Sequence, residues 1–111
     1  MNYHLGNLEE AVLLITMYTE EAYGVSVAEE YRKQTGSTIS IPAIHTVLRR
    51  LEDKGLVISR MGDSSPERGG RRKRLYEPTT FGFRVIRDIR NERLRLWAKI
   101  PKLNLKTDAT R

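Results

Sequence analysis

The sequence predicts a mainly α-helical domain in which a pair of helices joined by a tight turn is followed by a two-stranded hairpin and one long helix. Three observations carry that expectation. Ile41, Ile44, Val47, Leu48 and Leu51 recur at helical spacing between a good N-cap, Ser40, and a helix-ending Gly55. The branched run from Leu56 to Met61 and the extended run from Arg71 to Tyr76 flank turn formers from Gly62 to Gly70. The third is the apolar stripe after Pro78, which returns to helical spacing.

In chain order, a first helix is expected from about Asn7 to Thr19, with Asn7 as cap and Glu9 and Glu10 in its first turn. Its middle, Ala11 to Tyr18, is apolar almost all round, which suits a helix that packs on its own core with one face and on a second subunit with another. Gly24 to about Gln34 should form the second helix, with Val25, Ala28 and Tyr31 inward and Gly36 ending it. Only Gly36 to Ile39 then separates it from Ser40, so the second and third helices make a helix-turn-helix. A helix-turn-helix followed by a basic hairpin is a winged helix-turn-helix. Thr79 should cap the last helix, which runs from Thr80 to about Lys99 and stops before Pro101. The expected organisation is therefore a winged domain over residues 1–78, a dimerisation helix over 79–100 and a disordered tail over 101–111.

Charge points to the partner. The chain of 111 residues carries a net charge of +6, but residues 1–35 hold six acids against two bases and residues 36–111 hold eight acids against eighteen bases. The excess begins at the third helix, as expected of a surface made for a polyanion. Residues 66–74 alone hold five bases, Arg68, Arg71, Arg72, Lys73 and Arg74, against Glu67, beside Gly69 and Gly70. Glycines allow close backbone approach, and guanidinium forks suit phosphate. Catalysis finds no support. His4 and His45 are the only histidines and neither has a metal-ligand spacing, cysteine is absent, and neighbouring acids such as Glu29 and Glu30 diverge on a helix. No cofactor or metal is expected. No segment has the length to span a bilayer and nothing near Met1 resembles a signal peptide, so the expected setting is the cytoplasm.

These residues carry a resemblance. Leu5-Gly6, Glu9-Glu10, Ala22-Tyr23-Gly24, the block from Leu48 to Leu56, and above all Pro66 to Arg74 followed by Tyr76, Thr79 and Gly82 are similar to the PadR family of winged-helix transcriptional regulators, in particular its members with a short C-terminus. The resemblance implies a homodimer that binds operator DNA, usually represses, and is often relieved by a small molecule. In the major groove, Thr46 and Arg49 are the candidates for base edges and His45 and Arg50 for phosphate, with Pro42, Ala43 and Tyr23 on the same face. Arg68, Gly69, Gly70, Arg71, Arg72, Lys73 and Arg74 would lie along the DNA backbone or reach into the minor groove. His45 stands where the family usually has tyrosine.

Leu8, Val12 and Ile15 of the first helix and Val85, Ile86, Ile89, Leu96 and Trp97 of the last are the expected dimer interface, because a long helix leaving a small domain has little of its own fold to cover that stripe. Trp97, the only tryptophan, would also line a cleft for a small aromatic effector. A competing reading keeps the same fold as an adaptor that docks a protein partner through its basic face; salt-dependent binding to duplex DNA separates the two.

Overall fold

The computed structural model describes residues 4–64 and 72–101. Four helices and one hairpin follow in the order α1 (Asn7–Tyr18), α2 (Gly24–Thr35), α3 (Ile41–Asp53), β1 (Val57–Ser64), β2 (Arg72–Pro78) and α4 (Thr80–Ala98). The architecture is mainly helical with a two-stranded antiparallel wing and a C-terminal helix. The expected tail from Lys102 to Arg111 and the wing tip from Ser65 to Arg71 lie outside the described residues.

Each helix end has a local cause. Gly6, rather than Asn7, is the N-cap of α1, and its N–H donates to Glu9 Oε1 at 2.9 Å. Ser26 Oγ accepts from the Tyr23 N–H at 3.0 Å and so closes the start of α2. Ser40 Oγ caps α3 by accepting from the Ala43 N–H, with Pro42 in the first turn, where its missing N–H is harmless. Thr79 caps α4 in the same way through the Gly82 N–H at 2.9 Å. Gly36 and Gly55, at φ of 77° and 79°, take the left-handed conformation that turns the chain after α2 and α3.

The core gathers Val12, Leu13, Ile15, Val27, Ile44, Leu48, Leu51, Leu56, Val57, Tyr76, Val85 and Ile86. In α2 the inward face is Gly24, Val27 and Ala28, whereas Val25 is exposed. The expectation for Val25 fails because the buried stripe starts at Gly24, tucked under α3, and the i+3 and i+4 positions then fall at Val27 and Ala28. The hairpin pairs Val57 with Pro78 and Met61 with Arg74, then Ser64 with Arg72, so one extra residue on β1 makes a bulge. A third, minimal strand joins at Ala22, whose carbonyl accepts from the Tyr76 N–H at 2.8 Å.

The α4 helix leaves this core after its first half. Gly82 lies so close to Leu56 that a Cβ on it would fall 2.1 Å from the Leu56 carbonyl oxygen. Val85 and Ile86 are buried and Ile89 is half-buried, but every residue from Glu92 to Ile100 is exposed. Nineteen residues of α-helix span about 28 Å, so roughly half of that rod extends past its own domain.

Candidate nucleic-acid interface

The apolar stripe of α3 faces inward completely, with Ile44, Val47, Leu48 and Leu51 buried, and this aims the opposite face at solvent. Pro42, His45, Thr46, Arg49 and Arg50 are exposed and Ala43 is half-buried beside them. Thr46 Oγ1 donates back to the Pro42 carbonyl at 3.1 Å. Among the described residues neither Arg49 nor Arg50 has a hydrogen-bond or ion-pair partner. Two long cations held on a rigid helix with unused donors can each fork onto a base edge or a phosphate.

His45 has a specific seat. A Cβ at Gly24 would lie 2.7 Å from His45 Nε2 and 2.8 Å from Cε1, so the imidazole rests on the backbone at the start of α2. A side chain at 24 would push the ring aside, so glycine gives the imidazole this seat. Tyr23, the preceding residue, is half-buried and lies beneath Lys73 of β2, whose Nζ sits 4.3 Å from the ring centroid. The same ammonium reaches Glu21 Oε1 at 2.6 Å. Strand β2, the entry to α2 and the recognition helix α3 therefore meet at one seam.

The wing bases that are described have definite partners. Arg72 folds back on the bulge, donating through Nε to the Gly62 carbonyl at 2.8 Å and through a terminal nitrogen to the Met61 carbonyl at 3.3 Å. Arg74 donates to Ser59 Oγ at 3.1 Å, and Ser59 donates on to Glu52 Oε2 of α3 at 2.7 Å. Burial and the nearby Glu52 carboxylate push the Tyr76 phenol up, while the charges of Arg74 and Arg49 pull it the other way. So Arg49 near the end of α3 and Arg74 at the root of the wing both lie within electrostatic reach of Tyr76. Arg68, Gly69, Gly70 and Arg71 lie outside the described residues.

The residues expected at a dimer interface divide into two groups in the single chain. Val12, Ile15, Val85 and Ile86 belong to the chain's own core and have no surface to offer a second copy. Leu8 and Ile89 are half-buried against that core. What remains open is the other side of α1 and the far half of α4: Leu14 is 45% exposed, Leu96 62% and Trp97 65%. Glu10 and Arg93 join the two helices, with 2.9 Å between a carboxylate oxygen and a guanidinium nitrogen. Arg93, which interrupts the apolar stripe in sequence, is the residue that ties α4 to α1. Trp97, Leu96, Ile100 and Arg93 line a hollow of about 130 Å³, small beside the roughly 300–1,000 Å³ of ordinary ligand sites. Among the described residues no group of acids and histidines could hold a metal ion, and no helix is long and apolar enough to cross a membrane.

No family model matches the chain, and no curated protein does. Solved structures do. A PadR-like transcriptional regulator from Bacillus cereus superposes with a TM-score of 0.67 at 22% identity, over 82% of this chain and 84% of its own. The fold is that of the PadR-like regulators. A PadR family transcriptional regulator from Eggerthella lenta matches at 25% identity and a TM-score of 0.63, over 79% of this chain and 74% of its own. A transcriptional regulator from Clostridium thermocellum matches at 19% identity and 0.66, over 86% and 90%.

Proposed function

We propose that this chain is a sequence-specific DNA-binding transcriptional regulator of the PadR type, a homodimer whose two α3 helices enter successive major grooves and whose wings follow the backbone. The observation that carries the reading is the solvent-facing side of α3, where Arg49 and Arg50 have no hydrogen-bond or ion-pair partner among the described residues, on a fold shared with regulators of that family. Thr46 and Arg49 are the base-reading residues, and Arg50 and the wing contact phosphate. Repression is the simplest mode for so small a chain, since covering an operator blocks its use.

Dimerisation is assigned to the outer side of α1, through Ala11 and Leu14, and the exposed half of α4, through Leu96, Trp97 and Ile100. A second copy would cover apolar groups that a single chain leaves in water. The shallow hollow at Trp97 would become a cleft only when two copies face each other, so an aromatic effector would need the dimer.

Fluorescence anisotropy with labelled genomic duplexes at stepped salt tests the reading. Binding should weaken linearly on a double-logarithmic plot, with a slope near 0.9 per neutralised phosphate. Absence of duplex binding at low salt would remove the regulator reading and leave the adaptor. Sedimentation of the same protein checks the dimer.

A further inference from the structure

We propose that His45 is a proton-linked DNA contact, so that the chain binds duplex more tightly as pH falls from 7.5 to 6. The inference rests on the DNA-binding reading above and adds a dependence that reading does not require. Histidine is the side chain whose charge ordinarily changes in this range. Here it stands exposed on the solvent face of the recognition helix, one turn before Arg49, with its ring edge against Gly24. That contact places the imidazole at the seam between α2 and α3.

Close to the seam, Arg49 follows one turn on in α3, Tyr23 and Glu21 lead into α2, and Lys73 of β2 lies over the Tyr23 ring. Of these four, Glu21 is the carboxylate, and Lys73 engages it at 2.6 Å; Glu52, further along α3, accepts from Ser59. Among the described residues no carboxylate bonds the imidazole. The anion that would hold a proton on His45 is then a phosphate of the DNA itself. Binding and protonation become reciprocal: duplex favours the imidazolium, and the imidazolium favours duplex by the same factor.

An opposite charge within about 4–6 Å moves a titration by roughly one to three pH units, and one unit is worth tenfold in binding. The window captures only part of that gain, so affinity of each subunit should rise several-fold across it, at constant salt. The test measures anisotropy of a mixed-sequence duplex of roughly three helical turns with the wild-type chain and with His45→Gln, His45→Lys and His4→Gln. His45→Gln should bind somewhat more weakly than the wild type at pH 7.5 and lose the rise towards pH 6; His45→Lys should bind tightly throughout with no rise. His4→Gln should keep the full pH dependence, since His4 precedes α1 and is remote in sequence from the seam. NMR titration of the His45 imidazole, with and without duplex, gives an independent reading, with the midpoint moving upward in the complex.

A flat wild-type profile, or a His45→Gln profile as steep as the wild type, overturns the proton linkage while steep salt-dependent binding keeps the regulator reading. No binding at any pH overturns both.

Discussion

Gly82→Ala isolates what fixes the direction of α4. Ordinarily alanine in a helix interior is favoured over glycine by about 1 kcal/mol. At this position the added methyl would lie 2.1 Å from the Leu56 carbonyl oxygen, 3.0 Å from its carbon and 3.3 Å from its Cα. These are backbone atoms at the start of the hairpin, held by the Thr79 N–H donating to that same oxygen at 3.0 Å, and they cannot rotate away as a side chain would. Relief requires α4 to move outward by about an ångström, uncovering Val85 and Ile86 in part. Overpacking costs about 1–3 kcal/mol, and a rigid obstacle belongs at the upper end. Set against the propensity gain, the net loss is about 2 kcal/mol or more. Urea denaturation at fixed protein concentration should show a lower midpoint with an unchanged slope. Gly36→Ala is the comparison: nothing lies within 4 Å of its added Cβ, so only the left-handed backbone at φ 77° is strained, at about 1 kcal/mol. Stabilisation by Gly82→Ala would refute the close contact and, with it, the account of how α4 is aimed.

The interface assignment separates two neighbours on one helix. Leu14→Glu should turn the dimer into monomers without unfolding them, while Val12→Ala should cost about 2 kcal/mol of stability and leave the association of the folded chain unchanged; sedimentation and chemical denaturation read the two effects. Arg49→Ala should lose about 1–3 kcal/mol on the preferred site and little on random duplex, as competition anisotropy would measure. Acid should loosen the α1 to α3 clamp. Burial raises Glu9, but the hydrogen bond from Lys54 at 2.8 Å, the Gly6 N–H and the charge of Arg50 outweigh it, so its carboxyl sits below the ordinary value. The stability that the depressed group contributes is complete above the unfolded carboxyl value and drains as pH falls through the folded one, and Glu9→Gln should lose about 1–2 kcal/mol at pH 7 and flatten the melting profile between pH 5 and 3.

The elements were legible because their signals are local. Ser40, Gly55 and Thr79 act within one turn, and the stripe of α3 repeats at a period that only one face satisfies. Which side of α1 is left open was not legible in the same way. Val12, Leu13, Leu14 and Ile15 are equally apolar, and nothing within the helix decides which of them meets the core; that is set by where α3 and α4 arrive, which leaves Leu14 outside. Gly24 gave no sign of its reason either, since the imidazole above it comes from a residue 21 positions along the chain. Arg93 looked like an interruption because its partner, Glu10, lies 83 residues away.

The same limit governs the wing. Counting bases from Arg68 to Arg74 treats each as a free phosphate ligand, but intramolecular bonds already claim the three that are described. Arg72 bonds two carbonyls at a bulge, so Arg72→Ala would lose hairpin geometry along with its charge. Lys73 is shared between Tyr23 and Glu21, and its transfer to a phosphate would leave Glu21 without that cation. Arg74 is different, because its partner Ser59 is neutral and the bond is exposed; a phosphate would be the stronger acceptor. Among these three, Arg74→Ala should therefore reduce the salt slope by about one phosphate while leaving the fold intact, and Arg72→Ala should lower the melting temperature as well. An equal loss of stability in both variants would assign Arg74 to the wing's architecture and leave phosphate contact to the tip.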